Sequence, residues 1–223
     1  MDKLHLKLLQ RALIFQEIED DDFTGLTDCL APDIKYFSKN EIIHLTGDYL
    51  THIGVILSGT AAAYIEDING NQTIMSTLTP MSVFGEILVS TRTHQSPVTV
   101  YATSDVCAGF IEYEKVYSLC AKACAAHTAF LRNLIKAIGD KYFLLFDRIN
   151  IVREKSLRSR ITAYLYELSR KGSKRVVTLP FSKTKLSEYL LVNRSALSKE
   201  LRKMENDGLI TVKGRVIELK LLL

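Results

Sequence analysis

Between residues 34 and 113 the apolar positions come in short β-branched runs separated by turn residues. Ile42-Ile43-His44-Leu45 precedes Gly47-Asp48, Ile53 to Leu57 precedes Ser58-Gly59, and Thr60 to Ile65 leads into Ile68-Asn69-Gly70-Asn71 before Thr73 to Leu78 stops at Pro80. Turn signals about every ten residues between such runs predict an antiparallel sandwich or barrel. Asn69-Gly70 is a favoured hairpin turn, because both residues tolerate positive φ. From about Cys124 the period changes. Leu131, Ile135, Ile138, Tyr142, Leu145, Ile149 and Val152 recur at alternating spacings of four and three in a stretch without proline, which is a heptad seam on a helix over about 124–152. Such a stripe serves either as one face of a helix buried within a monomer or as a dimer interface. A long helix joining an all-β region to a basic region favours pairing with a second copy, which would set two basic domains side by side. Gly139 costs this helix about 1 kcal/mol relative to alanine and permits close helix contact beside Ile138.

The last 70 residues return to helical periodicity. Leu157 to Ser169 is followed by Lys171-Gly172-Ser173-Lys174, then Val176 to Leu179, then SKTKLSEYLLVNRSALSKELRKMENDGLI and a hairpin over Thr211 to Leu219 turning at Lys213-Gly214-Arg215. Ser182 and Asn193 are good N-cap residues and place two helix starts eleven residues apart. Two short helices with a tight turn, followed by a hairpin, predict a winged helix-turn-helix.

Composition agrees with a globular chain: 223 residues, 47% hydrophobic, 24% charged and 9% aromatic. A run of about eighteen apolar residues, the length of a membrane span, occurs nowhere, and Lys3, His5, Lys7, Gln10 and Arg11 interrupt the N-terminus, so neither a span nor a signal peptide is expected. The expected location is the cytoplasm, without membrane association. Cys29, Cys107, Cys120 and Cys124 have apolar neighbours and no framework spacing, as buried thiols do in a reducing compartment. Charge adds more. Lys and Arg number 12 against 18 Asp and Glu over residues 1–152, but 17 against 7 over 153–223. The chain therefore divides into a larger acidic domain, 1–152, and a small basic one, 153–223, whose expected partner is a polyanion such as double-stranded DNA.

On the helix opened by Asn193, Leu197, Leu201 and Met204 share one face and must point to the core. The opposite face carries Arg194, Ser195, Ser198, Lys199, Arg202 and Lys203. N-terminal residues of a recognition helix reach base edges, and cationic side chains suit guanine O6 and N7, which assigns Arg194, Ser195 and Lys199 to bases. Asn193, Ser198, Arg202 and the wing residues Lys213 and Arg215 fit phosphate contacts.

The chain resembles the CRP/FNR superfamily of bacterial transcription regulators over nearly its whole length. The resemblance rests on IFQEIEDDDFTGL, Gly47-Asp48, ILSGTAAAYIEDINGNQ, Phe84-Gly85-Glu86, the long helix, Ser159-Arg160-Ile161 and NRSALSKELRKMENDGLI. It implies an α+β protein: an N-terminal antiparallel β-roll sensor domain (a double-stranded β-helix, jelly-roll-like), a long dimerisation helix, and a C-terminal winged helix-turn-helix on a palindromic operator, with RNA polymerase as a further partner. Leu191 stands in the helix-turn-helix turn where the family often has glycine. In cyclic-nucleotide members a Gly-Glu pair is followed about ten residues later by Arg-Ser, which holds the cyclic phosphate. Here Gly85-Glu86 stands, but Gln95-Ser96-Pro97 puts Ser96 and Pro97 at those positions. Losing that charged partner costs a buried phosphodiester about 1.5–3 kcal/mol. This argues against cyclic AMP, although Arg92 lies close enough in sequence to supply a charge. The family's adenine contacts fall at about Leu145 and Phe146, with Tyr142 and Phe143 nearby; either the small-molecule effector has a flat or greasy portion or these aromatics simply fill the dimer interface. Gly85, Glu86, Gln95, Ser96, Tyr142, Leu145 and Phe146 are the candidate effector residues.

Haem is one candidate cofactor, with His44, His52, His94 and His127 as possible axial ligands and His94 in the loop beside the pocket. An iron-sulfur cluster lacks clustered N-terminal cysteines, and a Cys120–Cys124 thiol sensor would join adjacent turns of one helix. No catalytic order accompanies Glu86 and His94, so an enzyme is not expected. A structural dimer whose basic end binds an acidic protein is the reading from a different class.

Overall fold

The structure is a computed structural model that describes residues 2–68, 70, 72–118, 125–172, 175–180 and 182–220. The hairpin positions Asn69 and Asn71, the cysteines Cys120 and Cys124, and Ser173-Lys174 lie outside the described residues. Two compact units form, 1–140 and 141–223.

The first unit opens with α1 (Lys3–Gln10) and α2 (Asp20–Leu30). Asp2 caps α1 by accepting from the His5 amide, and three aspartates in the first turn of α2 face its positive dipole end. Eight strands follow: β1 (Asp33–Phe37), β2 (Ile42–His44), β3 (His52–Ser58), β4 (Ala61–Glu66), β5 (Gln72–Leu78), β6 (Val83–Phe84), β7 (Thr99–Ala102) and β8 (Val106–Glu112). They make two antiparallel four-stranded sheets, ordered β1-β8-β3-β6 and β2-β7-β4-β5. Strand β3 shows why its sequence is apolar on both faces. Ile53, Val55 and Leu57 pack with Leu9, Phe23, Leu26, Leu30 and Phe130 from the helices, while Ile56 packs with Ala61, Val100 and Phe84 from the strands. Alternation sends successive side chains to two different cores. Gly54 is required by close approach, since a methyl there would fall inside the Phe84 ring.

After α3 (Tyr113–Tyr117) comes α4 (Ala125–Val152), 28 residues long. Its first turns belong to the first core through Phe130 and Leu134. No helix among the described residues is long and apolar enough to cross a membrane.

The second unit contains the end of α4, then α5 (Leu157–Gly172), β9 (Val176–Thr178), α6 (Lys183–Tyr189), α7 (Arg194–Asn206), β10 (Ile210–Lys213) and β11 (Val216–Leu219). The three strands pair antiparallel in the order β10-β11-β9. One core joins Ile161 and Leu165 of α5, Leu186 and Leu190, Leu197, Leu201 and Met204 of α7, and Ile210 and Ile217 of the hairpin. This is a winged helix-turn-helix.

Candidate functional site

The helix-turn-helix is built from its caps. Ser182 accepts from the Lys185 amide at 3.3 Å and starts α6, and Leu186 and Ser187 are its buried face. At the other end Val192 N–H donates to the Ser187 carbonyl at 3.0 Å and Leu191 N–H to the Glu188 carbonyl at 3.2 Å. That pair of bonds is a Schellman closure, with Leu191 at the left-handed position normally taken by glycine. Its φ is 55°. An L side chain in that region is strained, and the turn forms with Leu191 in the place of the family's glycine. Asn193 then opens α7, its Oδ1 accepting from the Ala196 amide at 2.7 Å and from Ser195 Oγ at 2.8 Å.

The two faces of α7 are chemically separated. Leu197, Leu201 and Met204 are buried. Arg158 of α5 binds Glu200 at 2.7 Å and Asp207 at 2.6 Å, and these two carboxylates raise its already high pKa, Glu200 most. Glu205 accepts the Val212 amide of the wing at 2.8 Å. The acidic groups of α7 are thus tied to its own unit, while Arg194, Ser195, Lys199, Arg202 and Lys203 project exposed, with Ser198 half-buried beside them. In the wing, Gly214 takes a φ of 63° and flanking Lys213 and Arg215 are exposed. Arg215 also donates Nε to the Leu179 carbonyl at 3.2 Å, so part of its guanidinium holds the end of β9. Sequence reasoning missed the roles of Arg158 and Glu205, because charged residues on amphipathic helices read as solvated until their distant partners are known. Exposed Lys185 and half-buried Lys183, in the first turn of α6, were also passed over.

In the first unit, Gly85 has a φ of 79° and its Cβ position would lie 3.0 Å from the His52 carbonyl. Glu86 is 1% exposed and Ser96 2%. Ser96 is integrated into the backbone: its amide donates to Asp48 at 3.0 Å, its carbonyl accepts from Gly47 at 2.7 Å, and its hydroxyl donates to the Val98 carbonyl at 2.7 Å. Gln95 bridges Tyr49. The strap 94–96 is therefore laid along the 47–50 turn.

The histidines differ in setting. His94 stacks on Tyr49 at 5.0 Å and meets Tyr113 edge-on at 5.7 Å, with Nδ1 buried and unpaired. His44 stacks on Phe84, and burial pushes its pKa below 6.5, against an opposing pull from Asp48. His52 Nδ1 meets the Thr51 hydroxyl and His127 Nε2 the Val116 carbonyl. Among the described residues no group of three or more His, Cys, Asp or Glu could hold a metal ion.

Along α4 the seam residues divide. Leu131 and Ile138 lie partly against the first core, whereas Ile135, Tyr142, Leu145 and Ile149 are exposed and Val152 is half-buried. Phe143, Leu144 and Phe146 are exposed as well. Tyr142, Leu145 and Phe146 belong to the second unit and Gly85, Glu86, Gln95 and Ser96 to the first.

Comparison with known proteins adds identity to this geometry. Residues 34–123 match the model of the cyclic nucleotide-binding domain and residues 159–222 that of the Crp-like helix-turn-helix domain. The fumarate nitrate reduction regulatory protein of Klebsiella oxytoca is 25% identical over 192 residues, covering 83% of this chain and 74% of that protein. The fumarate and nitrate reduction regulatory protein of Escherichia coli K12 is 24% identical over the same length. Among solved structures, a CooA variant from Carboxydothermus hydrogenoformans aligns with a TM-score of 0.65 at 18% identity, over 98% of this chain and 95% of that one. The c-di-GMP responsive global regulator CLP of Xanthomonas campestris aligns with a TM-score of 0.59 at 16% identity, over 89% and 100%. The matched relatives are named as regulators, and a Crp-like helix-turn-helix implies DNA binding and dimerisation. The chain belongs to the CRP/FNR family of effector-responsive, DNA-binding transcription regulators.

Proposed function

We propose that this regulator acts as a homodimer on a two-fold operator, reading bases through Arg194, Ser195 and Lys199 and holding phosphates through Asn193, Ser198, Arg202, Lys213 and Arg215. The observation that carries the reading is how the charges of α7 are engaged: its carboxylates are occupied by Arg158 and the Val212 amide while its cationic side chains are exposed. Asn193 Oδ1 is used by the cap, so its contribution to a phosphate comes through Nδ2. Arg215 contributes through the guanidinium nitrogens not bound to Leu179. The functional division runs from a sensor with dimerisation helix, 1–152, to a DNA-binding part, 153–223. Leu131, Ile135, Ile138, Tyr142, Leu145, Ile149 and Val152 form the dimer seam, four of them supported by their exposure in the isolated chain. The site of action is the cytoplasm, with RNA polymerase as the downstream partner.

The effector is other than cyclic AMP. Ser96 stands where a charged phosphate ligand is needed, and its hydroxyl is already spent on Val98. An aromatic or otherwise flat molecule suits the residues Tyr142, Leu145 and Phe146 better, and haem is tested through His94, whose Nδ1 is buried and unpaired. Addition of haemin to the apo chain with no Soret band disposes of haem.

Selection of bound sequences from a random duplex pool tests the main reading. The expected result is an inverted repeat with half-sites about 34 Å apart, bound with an affinity that falls steeply with salt. A basic surface made for an acidic protein would show no sequence preference, and that result refutes the reading.

A further inference from the structure

The carbonyls at the end of a helix lack intrahelical partners and favour cations. At the end of α6, three successive carbonyls are held by two arginines from other helices. Arg148 of α4 donates Nε to the Tyr189 carbonyl at 3.3 Å and Nη2 to the Glu188 carbonyl at 3.4 Å. Arg160 of α5 donates Nη1 to the Leu190 carbonyl at 3.3 Å and Nε to the Glu154 carbonyl at 3.0 Å. The Arg148 guanidinium also lies over the Tyr189 ring, 5.2 Å from its centroid. Tyr189 in turn tilts against Tyr164 of α5 at 5.3 Å, a ring set in the core of the unit. Arg148 therefore grips both the backbone and the side chain at the last turn of α6. A lysine in its place would keep charge but lose the planar fork and the stacking.

Two neighbours give this grip its meaning. The first is the turn it abuts: Glu188 and Ser187 carry the Schellman closure that holds Leu191 at positive φ, and Asn193 starts the recognition helix two residues later. A strained turn persists only where its surroundings over-determine it. The second is the heptad seam on α4. Counting from Leu145 and Ile149, Arg148 occupies the position flanking that seam, and both of those side chains are exposed for a partner. A rotation of α4 that repacks the seam must move the root of the Arg148 side chain as well.

We infer that Arg148 is a positioning residue for DNA recognition, the link through which the packing of α4 reaches the helix-turn-helix turn and the start of α7. This rests on the DNA-reading function proposed above. It gives Arg148 no contact with DNA, so substitution alters which DNA is preferred without altering how many phosphates are neutralised.

The test uses the full chain and the sequence that the wild type selects from random duplexes. Arg148→Met, which keeps the stem and removes the donors, is expected to weaken binding to the selected sequence about tenfold while leaving binding to a scrambled duplex, the salt slope and the dimer unchanged. Arg148→Lys is expected to recover part of the loss. Combined with Leu145→Ala, the losses are expected to be non-additive, because both act on one coupled element. Wild-type affinity of Arg148→Met for the selected sequence overturns the inference, as do a parallel loss on scrambled DNA, a salt slope reduced by about one, or strict additivity with Leu145→Ala. Should the Met variant prove unstable, hydrogen exchange of Arg148→Lys decides: faster exchange confined to the amides of Leu191 and Val192 supports the inference, and unchanged or uniformly faster exchange overturns it. A wild type that selects no sequence overturns the DNA-reading function, and this inference with it. A wild type that selects one, matched by Arg148→Met, overturns the inference alone.

Discussion

Leu191 offers a direct measure of the strain in the helix-turn-helix turn. Its φ of 55° places an L side chain in the left-handed region, where Cβ crowds the following carbonyl at a cost of about 1–2 kcal/mol. The informative comparison is between Leu191→Ala and Leu191→Gly. Both remove the same side-chain contacts, which are few because the residue is 61% exposed, and they differ only in Cβ. At an ordinary position alanine is the more stable of the two by about 0.4–1 kcal/mol, because glycine has more unfolded-state entropy to lose. Setting that against the left-handed cost leaves glycine ahead by about 0.5–1 kcal/mol here, a reversal of the usual order. Because the chain has two compact units, a global melt mixes two transitions. Native-state hydrogen exchange of the Leu197 and Leu201 amides reports on the second unit alone. Slower exchange in the glycine variant than in the alanine variant is expected. Equal exchange, or alanine slower, refutes the view that strain is stored in this turn.

Arg194→Ala is expected to lower discrimination between selected and scrambled DNA by about 1–3 kcal/mol, whereas Lys213→Ala is expected to weaken both alike and reduce the salt slope by about one, each measured by fluorescence anisotropy at several salt concentrations. Burial holds His44 below 6.5 in the fold, so the unfolded chain takes up the proton first. The contribution of His44 to stability is complete above pH 6.5 and is lost as pH falls through the folded value. Urea denaturation at about pH 7 and 5.5 is expected to show a larger loss in wild type than in His44→Gln. Leu145→Glu sets like charges across the seam and is expected to give a monomer in sedimentation equilibrium. Phe143→Glu, off the seam, is expected to leave the dimer in place.

The strands and helix starts were legible because their signals are local. Gly47-Asp48 and Ser58-Gly59 punctuate the β-branched runs, and the turn glycines at 47 and 59 do have positive φ. Ser182 and Asn193 cap the two helices at the predicted positions, since a cap is a bond to an amide three residues away. The packing of α1 and α2 against β3 carried no local mark, because it depends on an alternation that fills both faces of a strand. Nor could a sequence show that the Ser96 hydroxyl closes on Val98, or that Arg148 and Arg160, at 41 and 30 residues' separation, meet the carbonyls of Tyr189 and Leu190.

Charge shows the same division between what composition reveals and what geometry adds. The surplus of 17 basic over 7 acidic residues in 153–223 suggests a cationic domain but says nothing about where the field points. Glu200, Glu205 and Asp207 would read as dilution of a basic helix. Glu200 and Asp207 are paired with Arg158 and Glu205 accepts the Val212 amide, so each of the three carboxylates has a partner inside its own unit, although Glu205 and Asp207 stay exposed to solvent. A polyanion approaching α7 meets exposed Arg194, Lys199 and Arg202 together with carboxylates already engaged within the unit, and at that distance local arrangement outweighs net charge. The ion pairs of Arg158 thus do more than join α5 to the end of α7: they offset two of the carboxylates that would otherwise dilute the positive charge of the recognition helix.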